Sequence, residues 1–291
     1  LWLAERLPIE IISMDSAMVY RGMDIGTAKP SEQQRAAVAH HLIDIRDPSE
    51  SYSAGSFVAD TVRLAEQITA RGRLPLIVGG TMMYLRALRS GLARLPRADE
   101  RLRSAIDAQA QREGWPALHG LLAQIDPDAA RRIAPGDRQR IQRAIEVYRL
   151  SGRPLSAHLR AGGAEAPIEL LTIALVPEDR SALHAAIARR FDRMLERGFV
   201  SEVESLHKRN DLHGDLAALR CVGYRQIWAH LEGACSLAQA RERAIVATRQ
   251  LAKRQLTWLR SDPAEFAVAA ENAGRFERVL GCITESGHGW S

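Results

Sequence analysis

The stretch that decides the fold is Glu10-Ile11-Ile12-Ser13-Met14-Asp15-Ser16-Ala17-Met18-Val19-Tyr20, continued by Arg21-Gly22-Met23-Asp24-Ile25-Gly26-Thr27-Ala28-Lys29-Pro30. Ile9, Ile11 and Ile12 predict a short buried strand. That strand delivers a carboxylate, Asp15, to its C-terminal end, where open α/β sheets bind their ligands. The loop that follows holds Gly22 and Gly26, and glycine tolerates the positive φ that lets backbone approach a ligand closely. Three readings of Asp15 stay open at this point: a site carboxylate, the cap of a following helix, or a Walker-B-type ligand of Mg²⁺.

Working outward, the chain alternates apolar runs with helical patterns, which predicts an α/β class. Residues 31–41 predict helix or loop, and residues 41–48 a second strand carrying Asp44, Arg46 and Asp47. A helix is expected over 53–71, with Ser53 as its N-cap and Gly72 as its stop. Residues 74–78 predict a buried strand, and Gly79-Gly80-Thr81 turns it into a helix, an arrangement that suits anions. No GxxxxGK[ST] occurs anywhere in the chain. From 96 to 160 the composition shifts to polar, Arg/Gln/Ala-rich helices, read as an inserted helical subdomain. The division expected is therefore a core of 1–95 and 161–291 with an insertion of 96–160, and Gly162-Gly163 as a hinge. A further strand is expected over 168–176, one long helix over 181–210 and another over 237–260. The segment after Pro263 carries no legible motif.

With 291 residues, 46% of them hydrophobic, the chain can bury a full core. Its 40 Lys+Arg against 35 Asp+Glu give a formal charge of +5, compatible with a nucleic-acid partner. Cys221, Cys235 and Cys282 lack metal-ligand spacing and do not suggest a disulfide framework, so a reducing cytoplasm is the expectation. No apolar run is long enough to span a bilayer.

Three basic segments stand out. Gln139-Arg140-Ile141-Gln142-Arg143 begins a helix whose inward side is Ile141, Ala144, Ile145 and Tyr148. Arg220-Cys221-Val222-Gly223-Tyr224-Arg225 is short, basic and carries an aromatic. On the last long helix Arg249, Lys253 and Arg260 follow helical spacing, with Arg254 and Trp258 on an adjoining stripe. A solvated helix face explains any one such run. Arginine beside Tyr or Trp also suits unstacked, single-stranded RNA.

Together these blocks resemble the tRNA dimethylallyltransferases, the bacterial tRNA isopentenyl transferases. The likeness runs in order from residue 9 to about 260: residues 12–20, 22–30, 41–48, 79–84, 139–143, 220–225 and Lys253-Arg254-Gln255-Leu256-Thr257-Trp258-Leu259-Arg260. The resemblance implies a P-loop-NTPase-like parallel sheet core with an inserted helical subdomain, a class that carries nucleotide and ATP binding with it. It implies transfer of a dimethylallyl group from its diphosphate to N6 of the adenosine 3′ of the anticodon, with Mg²⁺ as cofactor and the tRNA anticodon stem-loop as partner, in a monomer. By the same resemblance Asp15 is the general base, Thr81 lies beside the target nucleotide and Arg190 lies near the diphosphate. Residues Asp15, Ser16, Ala17 and Met18, with Thr81, Arg103 and the three basic segments, face the tRNA. Lys29 and the Gly79-Gly80 turn are expected to help Arg190 at the diphosphate, and Tyr224 or Trp258 to stack on a base. The family opens with strand, GPTASGK[ST] and helix, whereas this sequence begins at Leu1 inside that helix. The expectation is an absent phosphate loop and Mg²⁺ ligand, a gap beside residues 9–12, and a chain that is poorly stable and inactive as written. A small-molecule kinase, a free-adenylate prenyltransferase and an RNA-binding remnant are the alternatives.

Overall fold

The structure is a computed structural model describing residues 1–162 and 165–285; Gly163, half of the expected hinge, lies outside them. The chain forms two compact units, Leu1–Ala87 with the chain from Ile168 onward, and Leu88–Pro167.

In the first unit a short 3-10 turn, Trp2–Glu5, leads into β1 (Ile9–Met14). β1 is the centre of a three-stranded parallel sheet, between β2 (His40–His41) and β3 (Leu74–Gly79). Strands on both edges take up its backbone N–H and C=O groups, and burial on both faces goes with its lack of polar alternation; the buried Glu10 is paired with Arg71 and His41. The gap expected beside residues 9–12 is therefore not there. β3 and β4 (Ile173–Val176) are each paired on one edge only among the described residues, and Val78 and Leu175 are exposed on them. β4 pairs in parallel with β5 (Phe266–Ala269), a strand that the sequence reading missed.

The second strand, expected over 41–48, stops at His41. Leu42 and Asp44 take positive φ (61° and 58°), which no strand accommodates, and the chain regains only an isolated bridge at Tyr20 and Arg46. α1 (Glu32–Ala37) starts on a Ser31–Gln34 capping box. α2 (Ala54–Ala70) is capped by Ser53 as expected, and Gly72 follows its end at φ 68°. α3 (Met82–Ser90) follows β3.

The second unit holds α4 (Glu100–Glu113), α5 (Trp115–Ile125), α6 (Pro127–Arg132), α7 (Arg138–Ser151) and α8 (Leu155–Arg160) around Ile106, Leu118, Leu122, Ile141 and Ile145. It begins at Leu88, not at 96. The extended 91–99 segment belongs to it because the Pro96 carbonyl and the Asp99 N–H bond to Arg143 and Glu146 of α7.

The helix expected over 181–210 is two, α9 (Arg180–Glu196) and α10 (Phe199–His207), broken where Gly198 takes φ 93°. α11 (Tyr224–Leu231), α12 (Leu237–Ser261) and α13 (Arg275–Glu285) complete the first unit. Its main core joins Val19, Tyr20 and Met23 to Phe191, Phe199, Tyr224 and Trp228. Among the described residues no helix is long and apolar enough to cross a membrane.

Candidate active site

The C-terminal ends of β1 and β3 converge. A Cβ on Gly79 would lie 2.3 Å from the Met14 carbonyl oxygen, so only glycine fits there. Thr81 then bonds back twice: its N–H donates to the Met14 carbonyl (3.2 Å), and its Oγ1 accepts from the Ser16 N–H (3.1 Å). Gln255 of α12 closes the third side, its Nε2 donating to the Gly80 carbonyl at 2.8 Å. Three distant parts of the chain thus meet around Asp15.

Asp15 is half-buried. Its Oδ1 accepts from the Ala17 N–H (2.7 Å) and the Met18 N–H (3.3 Å), while Oδ2 has no protein partner among the described residues. The capping reading of Asp15 is therefore true of one oxygen, although it caps a turn and no helix follows. The other oxygen is open. Burial pushes the Cys221 thiol up to about 12 and raises the Tyr84 phenol, and the Asp15 charge adds to both shifts. Tyr84 is locked by stacking on Phe57, with ring centroids 4.2 Å apart.

Several expected roles need correction. Lys29 does not reach toward a diphosphate: its side chain is 2% exposed, and its ammonium is held by Asp24 (2.5 Å), Asp44 (2.6 Å) and the Tyr20 carbonyl (2.9 Å). The Gly22–Gly26 loop does not open toward a ligand either. A Cβ on Gly26 would meet the Phe199 ring at 2.2 Å, so its closeness is to the core. The N–H groups of Asp24, Ile25 and Gly26 form an anion-binding concavity that Glu202 of α10 fills, at 2.9, 2.7 and 3.1 Å. Glu202 also accepts from the Tyr224 hydroxyl at 2.5 Å. Tyr224 is fully buried against Phe199 and cannot stack on a base, and Gly223 is buried beside it. The Tyr224 phenol is raised by burial first and then by the Glu202 charge. No feature of a lone glutamate after a glycine reveals this role in sequence.

The remaining candidates of the first unit lie at the surface. Arg220 and Arg225 are exposed on either side of the buried Gly223-Tyr224 pair. Lys253, Arg254, Thr257 and Arg260 are exposed on α12, while Leu256 and Leu259 are half-buried. Trp258 is half-buried with the Arg86 guanidinium 5.6 Å from its ring centroid. Arg190 is exposed on α9, and no hydrogen bond joins it to the strand-end residues.

In the second unit the basic segment is more committed than its sequence indicates. Ile141 is fully buried and cannot face a partner. Arg103 and Arg143 both pair with Glu146, whose side chain is 0% exposed, at 2.9 and 2.6 Å. Burial raises the Glu146 carboxyl, and bonds from Arg103, Arg143 and the Asp99 N–H outweigh it, leaving it lowered. Gln142 donates to Asp107 at 2.7 Å. Gln139 and Arg140 are exposed, and Arg140 makes only an exposed pair with Asp137, its α7 cap.

Among the described residues no three His, Cys, Asp or Glu side chains converge as a metal site. The acids nearest the loop, Asp24 and Asp44, are neutralised by Lys29, so the residues present do not form a Mg²⁺ cage.

The IPP transferase family model matches residues 18–262. The tRNA dimethylallyltransferase of Bordetella petrii is 56% identical over 286 residues, covering 97% of this chain and 91% of that protein. That of Burkholderia cenocepacia is 57% identical over 289 residues, covering 96% and 89%. Among solved structures, the tRNA isopentenylpyrophosphate transferase of Bacillus halodurans is 36% identical with a TM-score of 0.67, covering 98% of this chain and 91% of that one. A eukaryotic dimethylallyltransferase acting on tRNA is 26% identical with a TM-score of 0.76, covering 98% and 75%. Matched by the family model over residues 18–262 and by these relatives over nearly its whole length, the chain belongs to the IPP transferase family.

Proposed function

We infer that this chain transfers a dimethylallyl group from dimethylallyl diphosphate to N6 of the adenosine 3′ of the anticodon in tRNA, releasing diphosphate. The observation that carries the reading is Asp15, with one oxygen tied to the backbone and the other open, in a chain of this family. The adenine amino group is a poor nucleophile because its lone pair is delocalised into the ring. Asp15 Oδ2 takes the N6 proton as the new C–N bond forms. The allylic C–O bond breaks in the same step, and its electron pair leaves with the diphosphate. Positioned acid–base groups typically contribute ~10²–10⁴-fold.

The adenine must leave the loop stack to reach a half-buried carboxylate. Thr81 fixes Ser16, the residue next to the carboxylate, by accepting its N–H. Arg190, exposed on α9, is assigned to the leaving diphosphate, where a fixed cation stabilises the developing charge. Mg²⁺, for which the described residues form no cage, would supply charge neutralisation to that diphosphate when bound. Arg220, Arg225, Lys253, Arg254 and Arg260 supply phosphate contacts, with Gln139 and Arg140 on the helical unit. The working form is proposed as a cytoplasmic monomer.

The test is transfer of label from dimethylallyl diphosphate to an anticodon stem-loop RNA and, in parallel, to AMP. Digestion of the RNA should release the label as N6-prenyladenosine. Label in AMP alone, or in neither acceptor, refutes the reading.

A further inference from the structure

We propose that Gln255 is a positioning residue for the transfer reaction: it holds the Gly80-Thr81 turn and, through that turn, the Asp15 carboxylate. The part played in a reaction rests on the functional reading above; the hold on the turn does not. The ladder between β1 and β3 ends at Met14 and Gly79. The Gly80 carbonyl is the first beyond it, half-buried and without a strand to bond it. Gln255 supplies the donor, its Nε2 at 2.8 Å. A carbonyl only accepts, so the NH₂ end of the amide must face it, which fixes the orientation of the whole group. A Cβ on Gly80 would lie 2.5 Å from that nitrogen. Gly80 does not take positive φ, so what glycine provides here is room for the Gln255 amide.

The turn matters because of what Thr81 holds. Its N–H donates to the Met14 carbonyl at 3.2 Å, and its Oγ1 accepts from the Ser16 N–H at 3.1 Å. Met14 and Ser16 are the two neighbours of Asp15, so one residue pins the main chain on both sides of the carboxylate. A displaced Gly80 carries Thr81 with it and re-aims Asp15 Oδ2. Three residues beyond Gln255, on the same side of α12, Trp258 faces Arg86 of α3, whose guanidinium lies 5.6 Å from the ring centroid. α12 therefore meets both the turn and the helix that leaves it.

Sequence places Gln255 in a run expected to face RNA. In the structure its neighbours Lys253 and Arg254 are exposed, whereas Gln255 is half-buried and its donor is engaged inside the protein. One neutral hydrogen bond adds little to global stability. Misplacing a reacting group costs far more, since its distance and angle to the substrate enter the barrier directly. The effect of Gln255 is therefore on rate, not on folding or RNA affinity.

The experiment uses the full chain and four variants. Gln255→Met keeps the size of the side chain and removes its donor; Gln255→Ala, Gly80→Ala and the double alanine variant complete the set. Single-turnover transfer to an anticodon stem-loop RNA is measured at saturating RNA, and the RNA Kd and the Tm separately. Each single variant should slow transfer roughly 10-fold or more, with Kd and Tm close to those of the wild type. The methyl added in Gly80→Ala acts by pushing the Gln255 amide away, so the double variant should be no slower than Gln255→Ala. Additive losses overturn the shared contact. An unchanged rate in Gln255→Met overturns the proposal, as does a rate lost only in step with Tm. A weakened Kd with the saturating rate intact makes Gln255 an RNA contact and overturns it too. The second arm needs no transfer: hydrogen exchange of the Ser16 and Thr81 amides should speed in Gln255→Met and Gly80→Ala, while the α2 amides keep the wild-type rate. Unchanged exchange at those two amides overturns the turn as the route, whatever the rate does. If the wild type transfers no prenyl group while these amides respond, the functional reading falls and the hold on the turn stands.

Discussion

Replacing Asp15 by Asn separates the two jobs of one side chain. Asp15 Oδ1 holds the turn by accepting from the Ala17 and Met18 N–H groups, and Oδ2 is open. Asparagine can keep its carbonyl oxygen at the first position, so the turn survives and stability should change by less than about 1 kcal/mol. Its amide nitrogen then stands where Oδ2 stood and cannot take a proton. Single-turnover transfer to a stem-loop RNA should fall ~10²–10⁴-fold, equivalent to about 2.7–5.5 kcal/mol of barrier. RNA affinity should stay close to that of the wild type, because no phosphate is contacted by this group. Asp15→Ala should lose the turn as well, about 0.5–2 kcal/mol of stability, on top of the same rate loss. Near-normal transfer by the Asn variant with an intact fold would remove Asp15 from the chemistry and leave it only its turn.

Glu202→Gln places an amide NH₂ against backbone or phenol donors whichever way it flips, and urea melts should show a loss of about 2–4 kcal/mol after allowing for its partial exposure. Tyr224→Phe leaves Glu202 its three backbone donors and should cost only about 1 kcal/mol; equal losses in the two variants would contradict the dominance of the backbone bonds to Glu202. Glu146→Ala strands Arg103 and Arg143 and should cost about 3–5 kcal/mol in the helical unit. The carboxyls of Glu146, Asp47 (held down chiefly by Arg209) and Glu10 (chiefly by Arg71) are all lowered in the fold, so their stabilisation is present above the unfolded values near ~4 and is lost as pH falls through the folded ones. Thermal melts should be nearly flat from neutral pH to about 5 and then decline; a rise toward pH 3 would contradict these pairings. With its thiol pushed up to about 12, Cys221 should resist iodoacetamide at pH 8, as read by mass spectrometry of the alkylated peptides.

Much of the fold was legible because its signals are local. A run such as Ile9, Ile11 and Ile12 needs no knowledge of partners to read as a buried strand, and Ser53 announces the start of α2 by its own chemistry. What failed depends on neighbours or on single dihedrals. Residues 41–48 are apolar enough for a strand, but Leu42 and Asp44 turn through positive φ, and neither is a glycine that would flag it. The break between α9 and α10 rests on one glycine inside a pattern that is otherwise helical on both sides. β5 is four residues long and is a strand only because β4 pairs with it.

The site follows the same division, with one reversal. Asp15 and Thr81 stand at the expected ends of their strands because strand ends are readable. Gly26, Lys29 and Tyr224 have the residue types of a ligand-binding loop, and each turns inward. A glycine is required by any close approach, and here the approaching groups are Phe199 and Tyr224. A lysine seeks any anion, and here Asp24 and Asp44 are nearer than any ligand. The three N–H groups that would cradle a phosphate are filled by Glu202, a residue 176 positions away from Gly26. Residue types alone therefore cannot tell a cradle built for substrate from one built for the protein's own carboxylate; the difference lies in what is already bonded there. By that criterion the group left for substrate in the proposed reaction is Asp15 Oδ2, whose bonding is incomplete while its partner oxygen is tied to the turn.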